Sequence, residues 1–346
     1  MTVDTQTERD ALADELTRCV RCGFCLQACP TYVALGREPD SPRGRIHLID
    51  ALAAGRVSIT DALADHLDLC LQCRACETAC PSGVRFGRIM EAGRALTLRE
   101  RAPLSWRLRA FVIRQLVTRP SRLAVAFSLL RLYQRAGLQT IARRLGLIRL
   151  LPASLRMAEA SLPRLPRRGA VPESSGDREA LATVALLTGC VMPYLYPGTH
   201  DATVRVLRRL GYRVVAPKDM GCCGALSLHA GDLETARACA RRVIDAFDAT
   251  GAEAIVVNAA GCGAAMKEYG HLLQDDPAYA SRADAFAGRV RDAIEFIAAH
   301  ELPPLRPVAA TVTYQDSCHL AHAQGIRDAP RRLLRAIPGI ELREMD

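Results

Sequence analysis

Two copies of one cysteine phrase constrain this chain more than anything else in it: Cys19, Cys22, Cys25 and Cys29 followed by Pro30, and Cys70, Cys73, Cys76 and Cys80 followed by Pro81. Each copy reads C-x2-C-x2-C-x3-C-P. Three thiolates at this interval can turn inward around a compact loop and hold three corners of a cubane [4Fe-4S] cluster, while the fourth cysteine serves the neighbouring cluster. The spacing predicts two such clusters with exchanged ligands. One would sit on Cys19, Cys22, Cys25 and Cys80, the other on Cys70, Cys73, Cys76 and Cys29. The prolines turn the chain away after the exchanged cysteine. Small and apolar residues between the ligands (Gly23, Phe24, Ala75, Ala79) keep water off the sulfurs and let backbone N–H groups reach them.

Zinc and disulfides are the competing uses of closely spaced cysteines. Zinc needs two C-x2-C pairs, but not a third cysteine at the same interval and a fourth before proline, twice over. The amino terminus, Met1-Thr2-Val3-Asp4-Thr5-Gln6-Thr7-Glu8, has neither the basic start nor the apolar run of a secretion signal, so a reducing, cytoplasmic compartment is expected.

With 346 residues and 49% hydrophobic content, the chain can build more than one buried core. No stretch of eighteen or more apolar residues suggests a membrane span. The net charge of +9 is unevenly placed: Arg99 to Arg168 holds 16 arginines against Glu100 and Glu159, leaving the rest of the chain acidic. That segment mixes arginine with leucine, valine and phenylalanine at helical intervals and reads as two or three amphipathic helices. Two uses compete: an interfacial patch for anionic lipid or a partner subunit, in peripheral contact with the inner face of a membrane, or a connector with solvated arginines. Nucleic acid is not expected, because no binding motif accompanies the charge.

The expected fold class is α+β and multidomain, an α-helical two-cluster ferredoxin domain followed by an α/β cysteine-rich domain. Residues 1–100 hold both motifs, with helices expected from Pro42 to near Gly55 and from Asp61 to Leu69. Residues 101–175 form the basic connector and a Pro/Ser-bearing linker. Residues 176–304 alternate short apolar strands (Thr183–Leu187, Tyr212–Val215, Ala254–Asn258) with helices, the pattern of a parallel sheet. Cys190, Cys222, Cys223 and Cys262 fall in loops at strand ends and are expected to converge as a metal site. Cys239, in mid-helix, reads as a small buried hydrophobe.

Residues 305–346 repeat the start of this domain. Thr311–Cys318 echoes the strand and loop leading to Cys190, and Arg331–Leu342 echoes Val204–Val214. By that register a second twin-cysteine loop should begin near 350, past Asp346, so an incomplete repeat with an exposed, poorly soluble sheet edge is expected.

On these residues the chain resembles the iron–sulfur subunit of glycolate oxidase (glycolate dehydrogenase). That family shares a superfamily with lactate-utilisation iron–sulfur proteins, anaerobic glycerol-3-phosphate dehydrogenase small subunits and heterodisulfide reductase subunits. The resemblance rests on the doubled motif, Ser41-Pro42-Arg43-Gly44-Arg45, Gly221-Cys222-Cys223-Gly224, Asn258-Ala259-Ala260-Gly261-Cys262-Gly263 and Asp316-Ser317-Cys318-His319-Leu320-Ala321-His322, the last two phrases favouring the glycolate branch. It implies a subunit that relays electrons from an FAD-binding partner oxidising glycolate to a quinone or similar acceptor. No Gly-x-Gly-x-x-Gly phrase follows a strand here, in keeping with a flavin on another chain. Lactate or another 2-hydroxy acid is the alternative substrate, and thiol/disulfide chemistry of the heterodisulfide reductase kind the alternative role. Against the latter, Cys262-Gly263-Ala264-Ala265 has alanine where that repeat carries a further cysteine. His319 and His322 read as loop-lining residues.

Overall fold

The computed structural model describes residues 12–166, 174–175 and 180–345. Around the cysteine motifs the structure is all helical. Ser41 caps the Pro42–Ala53 helix by accepting from the Gly44 N–H, and Pro42 occupies the first turn, where its missing N–H costs nothing. Thr60 caps Asp61–Asp68 in the same way through the Leu63 N–H. The Phe86–Arg101 helix completes the bundle. Ile49, Leu67, Ile89 and Met90 are fully buried between these helices. Gly93 lets two of them close up, since a Cβ there would lie 2.6 Å from Ile49. This core seats both cysteine loops on its edge, with Cys19, Cys25, Cys70 and Cys80 packed against it.

The basic segment forms four α-helices rather than two or three: Leu104–Val112, Pro120–Arg135, Leu138–Arg144 and Ala153–Ala160. A π-helical stretch, Ile113–Val117, joins the first two. Helix starts at Pro120 and after the left-handed Gly137 divide what the periodicity alone ran together. The expected linker beyond it falls partly outside the described residues.

The second half is an open α/β sheet. Strands β1 (Ser174–Ser175), β2 (Ala182–Leu187), β3 (Tyr212–Val215), β4 (Ala254–Val257) and β5 (Val290–Asp292) lie in the order β1-β3-β2-β4-β5, with β1 antiparallel and all other neighbours parallel. The apolar run Val184–Leu187 is buried on both faces, as a central parallel strand must be. The Leu233–Asp248 and Ala280–Arg289 helices cover one face through Val243, Ile244, Phe247 and Phe286. Pro197–Arg209 covers the other through Val204 and Leu207. Strands β6 (Ala310–Thr313) and β7 (Ile340–Arg343) pair in parallel around the Asp328–Ala336 helix, the connectivity of β2, Pro197–Arg209 and β3. They form a separate two-stranded sheet whose residues alternate between half-buried and exposed.

The ferredoxin bundle and the sheet domain are joined by polar contacts around one close backbone approach. Gly231, at φ +82°, abuts Arg94, whose carbonyl carbon would lie 2.6 Å from any Cβ added there. Arg94 donates to the His229 carbonyl (2.7 Å) and, on its own side, to the carbonyls of Leu67 and Cys70 (both 2.8 Å). Arg74 grips Glu268 with two hydrogen bonds of 2.7 and 3.0 Å and also holds Glu77. These acidic partners raise the affinity of the buried guanidinium for its proton against the cost of burial, and Arg74 with Arg88 holds the Glu268 carboxyl below its usual range despite burial.

Two outcomes follow for stability. Gly231→Ala is expected to lower the melting temperature by several degrees, through left-handed backbone strain and a clash worth about 1–3 kcal/mol each, whereas Gly198→Ala, with nothing within 4 Å, is near neutral. Arg74→Gln is expected to cost about 3 kcal/mol by stranding Glu268. The Arg74→Gln/Glu268→Gln double variant should recover part of that loss, and strictly additive losses in thermal melting would show that the pair is uncoupled.

Candidate metal centres

The two cysteine loops share an unusual backbone. Arg21 and Gln72, at the same place in the two motifs, both have positive φ (57° and 52°), as do Gly23 and Arg74 two residues later (87° and 62°). Glycine takes the second position freely. Arg74 takes it at about 1–2 kcal/mol, anchored by Glu77 and Glu268. Alternating left-handed residues turn successive N–H groups to one side and make a concavity suited to an anion. The Gln72 N–H donates to the Cys70 sulfur at 3.4 Å, and the backbone at Ala75 and Arg43 opposes the upward shift that burial gives the Cys73 and Cys25 thiols.

Two adjacent cavities lie within these loops. The first is walled by Cys19, Cys22, Cys25 and Cys80, the second by Cys29, Cys70 and Cys73, and Cys76 borders both. Each motif therefore sends its fourth cysteine to the cavity formed by the other. Phe86 reaches both and fills the space between. Among the described residues no three His, Cys, Asp or Glu side chains close to the spacing of a single metal ion; the thiols stand around a space instead.

Charge fits an anionic cluster in the second cavity. Arg45, fully buried on its wall, donates from Nε to the His66 carbonyl (2.8 Å) and from Nη1 to Thr31 Oγ1 (3.0 Å). Its Nη2, 3.7 Å from Asp40, is buried without a hydrogen-bond partner. A sulfur-rich anion between the thiols would meet that need. Burial pushes the Cys70, Cys73 and Cys76 thiols up, with Arg45 and Arg94 opposing the shift at Cys70 and the Glu77 charge adding to it at Cys76. Metal binding must drive off those protons, and the two guanidiniums compensate the negative charge created.

A second group of thiols lies in the sheet domain. Cys190, Cys222, Cys223 and Cys262, placed in loops by the sequence pattern, come together there, with Cys222 in thiol contact with Cys190 and Cys223, and Cys223 with Cys262. Cys239 is fully buried, as expected of a small core residue, and its thiol lies beside Cys222. Gly224, at φ +82°, permits this approach, since a Cβ there would lie 3.0 Å from the Ala236 carbonyl oxygen and 3.1 Å from the Cys239 Cβ. The only sequence signal for Cys239 was its place on the buried face of Leu233–Asp248. Three neighbouring thiols and the Gly224 N–H stabilise Cys222 as thiolate, and its pKa is depressed in consequence. Tyr269 donates to the Cys223 carbonyl at 2.7 Å. His200 ties the loops together: its Nε2 meets the Thr188 carbonyl (3.0 Å), and Asn258 donates to its Nδ1 (3.1 Å).

His319 and His322 link the two domains. His319 Nε2 donates to the Gln72 carbonyl (2.9 Å), leaving a buried Nδ1 that lies near Gly261, beside Cys262. His322 Nδ1 accepts from Thr78 (2.9 Å) and Arg327 (3.0 Å). Cys318, exposed, lies close enough to Cys73 to raise its pKa. The second cavity and the sheet-domain thiols are thus neighbours across one interface.

Comparison with known proteins agrees with this arrangement segment by segment. Residues 15–84 match the model of a 4Fe-4S dicluster domain, 107–162 that of the glycolate oxidase iron–sulfur subunit linker region, and 184–267 with 312–346 that of a cysteine-rich domain. The chain is 39% identical to the probable glycolate oxidase iron–sulfur subunit of Bacillus subtilis (strain 168), over 96% of this chain and 77% of that protein. It is 36% identical to the glycolate oxidase iron–sulfur subunit of Escherichia coli (strain K12), over 95% and 77%. Lactate utilization protein A of Bacillus licheniformis is 33% identical over 46% of this chain and 66% of that protein. No solved structure matches. Identity of this extent, with the two cavities and the matched linker, places the chain in the glycolate oxidase iron–sulfur subunit family.

Proposed function

We propose that this chain relays electrons singly, through two [4Fe-4S] clusters, from a flavoprotein subunit that oxidises glycolate to glyoxylate towards a quinone or similar acceptor at a membrane surface. The observation that carries this is the pair of adjacent cavities, each ringed by three cysteines of one motif and the fourth of the other. When bound, each cluster accepts and passes on one electron, which lets a two-electron flavin oxidation be drained in two steps. Cys19, Cys22, Cys25 and Cys80 hold one, and Cys70, Cys73, Cys76 and Cys29 the other. Phe86 fills the space between the two cavities and excludes water there, and the Gln72 N–H donates to the Cys70 sulfur. Arg45 and Arg94 balance charge at the second site only, because, of the arginines at the first, Arg21 is exposed and Arg43 is already paired with Glu38 (2.6 Å).

The domain boundaries that suit this role are 1–100 for the two-cluster unit, 101–175 for the connector, 176–304 for the first cysteine-rich repeat and 305–346 for the start of a second. The buried thiols around Cys222 favour a second reading as a site of thiol/disulfide chemistry. Their burial, with Cys222 and Cys223 at 2% and 3% exposure, argues against direct attack on a bulky disulfide.

Ligand exchange is testable by composition. Anaerobically reconstituted protein should hold about eight iron and eight sulfide per chain. In a Cys19/Cys22/Cys25→Ala background that keeps one cluster, adding Cys29→Ala should remove the remaining iron while adding Cys80→Ala should not; the opposite result would show that each motif keeps its own fourth cysteine. For the relay, glycolate should bleach the cluster absorbance only when the flavoprotein subunit is present. Cys223→Ser should leave that bleaching intact, and its loss would transfer the chemistry to the thiol pocket.

A further inference from the structure

The helical connector is held to the body at few points, and its remaining surface is unusual. Arg114 pairs with the buried Asp232 (2.9 Å), Arg109 with Asp68 (2.7 Å), and Phe127 stacks on Tyr194 at 4.5 Å between centroids. Trp106, Ala110, Thr118 and Leu123 face inward. On the outer side each helix presents an apolar row at helical spacing: Leu104, Leu108 and Phe111, then Val125, Leu129 and Leu132, then Leu138, Ile141 and Leu145, all exposed. Leu150, at 83% exposure, and Met157, at 70%, continue the rows. A soluble helix ordinarily turns such a stripe towards a core.

Between these rows stand arginines with almost no counter-charge. Residues 104–162 contain 11 arginines, no lysine or aspartate, and one glutamate, Glu159, which Arg143 already occupies. Arg107, Arg119, Arg135, Arg144, Arg149 and Arg156 are exposed, and no partner is found for them among the described residues. Leucine rows flanked by unpaired arginine are the composition of a helix lying in an anionic lipid interface, its apolar face sunk among acyl chains and its cations at headgroup phosphates. A protein partner is a poorer fit. Arginine serves protein interfaces too, but eleven arginines spread over the segment with one carboxylate, already paired, match a uniformly negative surface better than the mixed polar rim of a protein. No described helix is long and apolar enough to cross a membrane.

We infer that residues 104–157 form a membrane-docking arm that lies on an anionic phospholipid surface and holds the cluster domain against it. This deepens the acceptor side of the relay proposed above and rests on that reading only for its purpose, since lipid binding can be measured without electron transfer.

The test is flotation of the full reconstituted chain with vesicles of phosphatidylglycerol and phosphatidylcholine, and with phosphatidylcholine alone. Binding to the anionic vesicles, falling steeply with added salt, is expected, with little on the neutral ones. Arg135→Gln/Arg144→Gln/Arg149→Gln should weaken it about a hundredfold, and Leu129→Gln or Leu150→Gln about tenfold each. Both sets alter exposed side chains, so melting temperature and iron content should not change. Equal binding to both vesicle types, no binding, or variants that float like the parent would overturn the proposal. So would variants that keep vesicle binding but lose the flavoprotein subunit, which would make the arm a subunit contact. Glycolate-driven bleaching in detergent-free solution, measured on the same variants, reports the relay separately.

Discussion

Each cysteine loop lends its fourth cysteine to the cavity of the other, Cys80 to one and Cys29 to the other, and the rest of the amino-terminal half is built around that exchange. Two loops far apart in sequence therefore have to be held in fixed register. The helical core does this mechanically: Ile49, Leu67, Ile89 and Met90 lock three helices whose ends carry the loops. Arg45 adds a polar lock, because one fully buried guanidinium ties Thr31, next to the exchanged Cys29, to His66, four residues before Cys70. Such a cation is costly to bury; Asp40, 3.7 Å from its Nη2, meets part of the need, and the ring of thiols is where a further anion would lie.

Charge is distributed to match. Cations near the second cavity are buried and fixed by hydrogen bonds, so they act at low dielectric and little salt reaches them. Near the first cavity Arg21 is exposed, beside the exposed Val20 and Phe24, and is screened, while Arg43 is already neutralised by Glu38. The two centres thus differ in surroundings although their ligands repeat. The second lies against the sheet domain, where Arg74, Glu268, His319 and Gln72 stitch the interface and bring the Cys222 thiols near. A relay benefits from this asymmetry, since an electron needs a preferred direction as well as a short path.

Much of this was legible in the sequence because it depends on local spacing. The doubled motif announced two adjacent cysteine-lined cavities, Ser41-Pro42 announced a helix start, and the apolar run Val184–Leu187 announced a buried parallel strand. Less legible was whatever depends on which helix faces meet. Cys239 looked like core filling, because only packing of its helix against Gly224 brings its sulfur to Cys222. Arg74 and Arg94 gave no signal among 46 basic residues, and Arg45 was marked only as part of a family phrase; their roles come from burial, which composition does not encode. Gly231 likewise gave no sign that a carbonyl from another domain would lie against it.

The central claim is that two cubane clusters sit side by side on interleaved ligands. Electron paramagnetic resonance of the fully reduced, anaerobically prepared chain tests it most directly. Closely spaced clusters should give a broadened, spin-coupled spectrum that collapses to a simple isolated signal when the first motif is removed. Two independent, uncoupled signals in the intact protein, or zinc in place of iron with no signal at all, would contradict it.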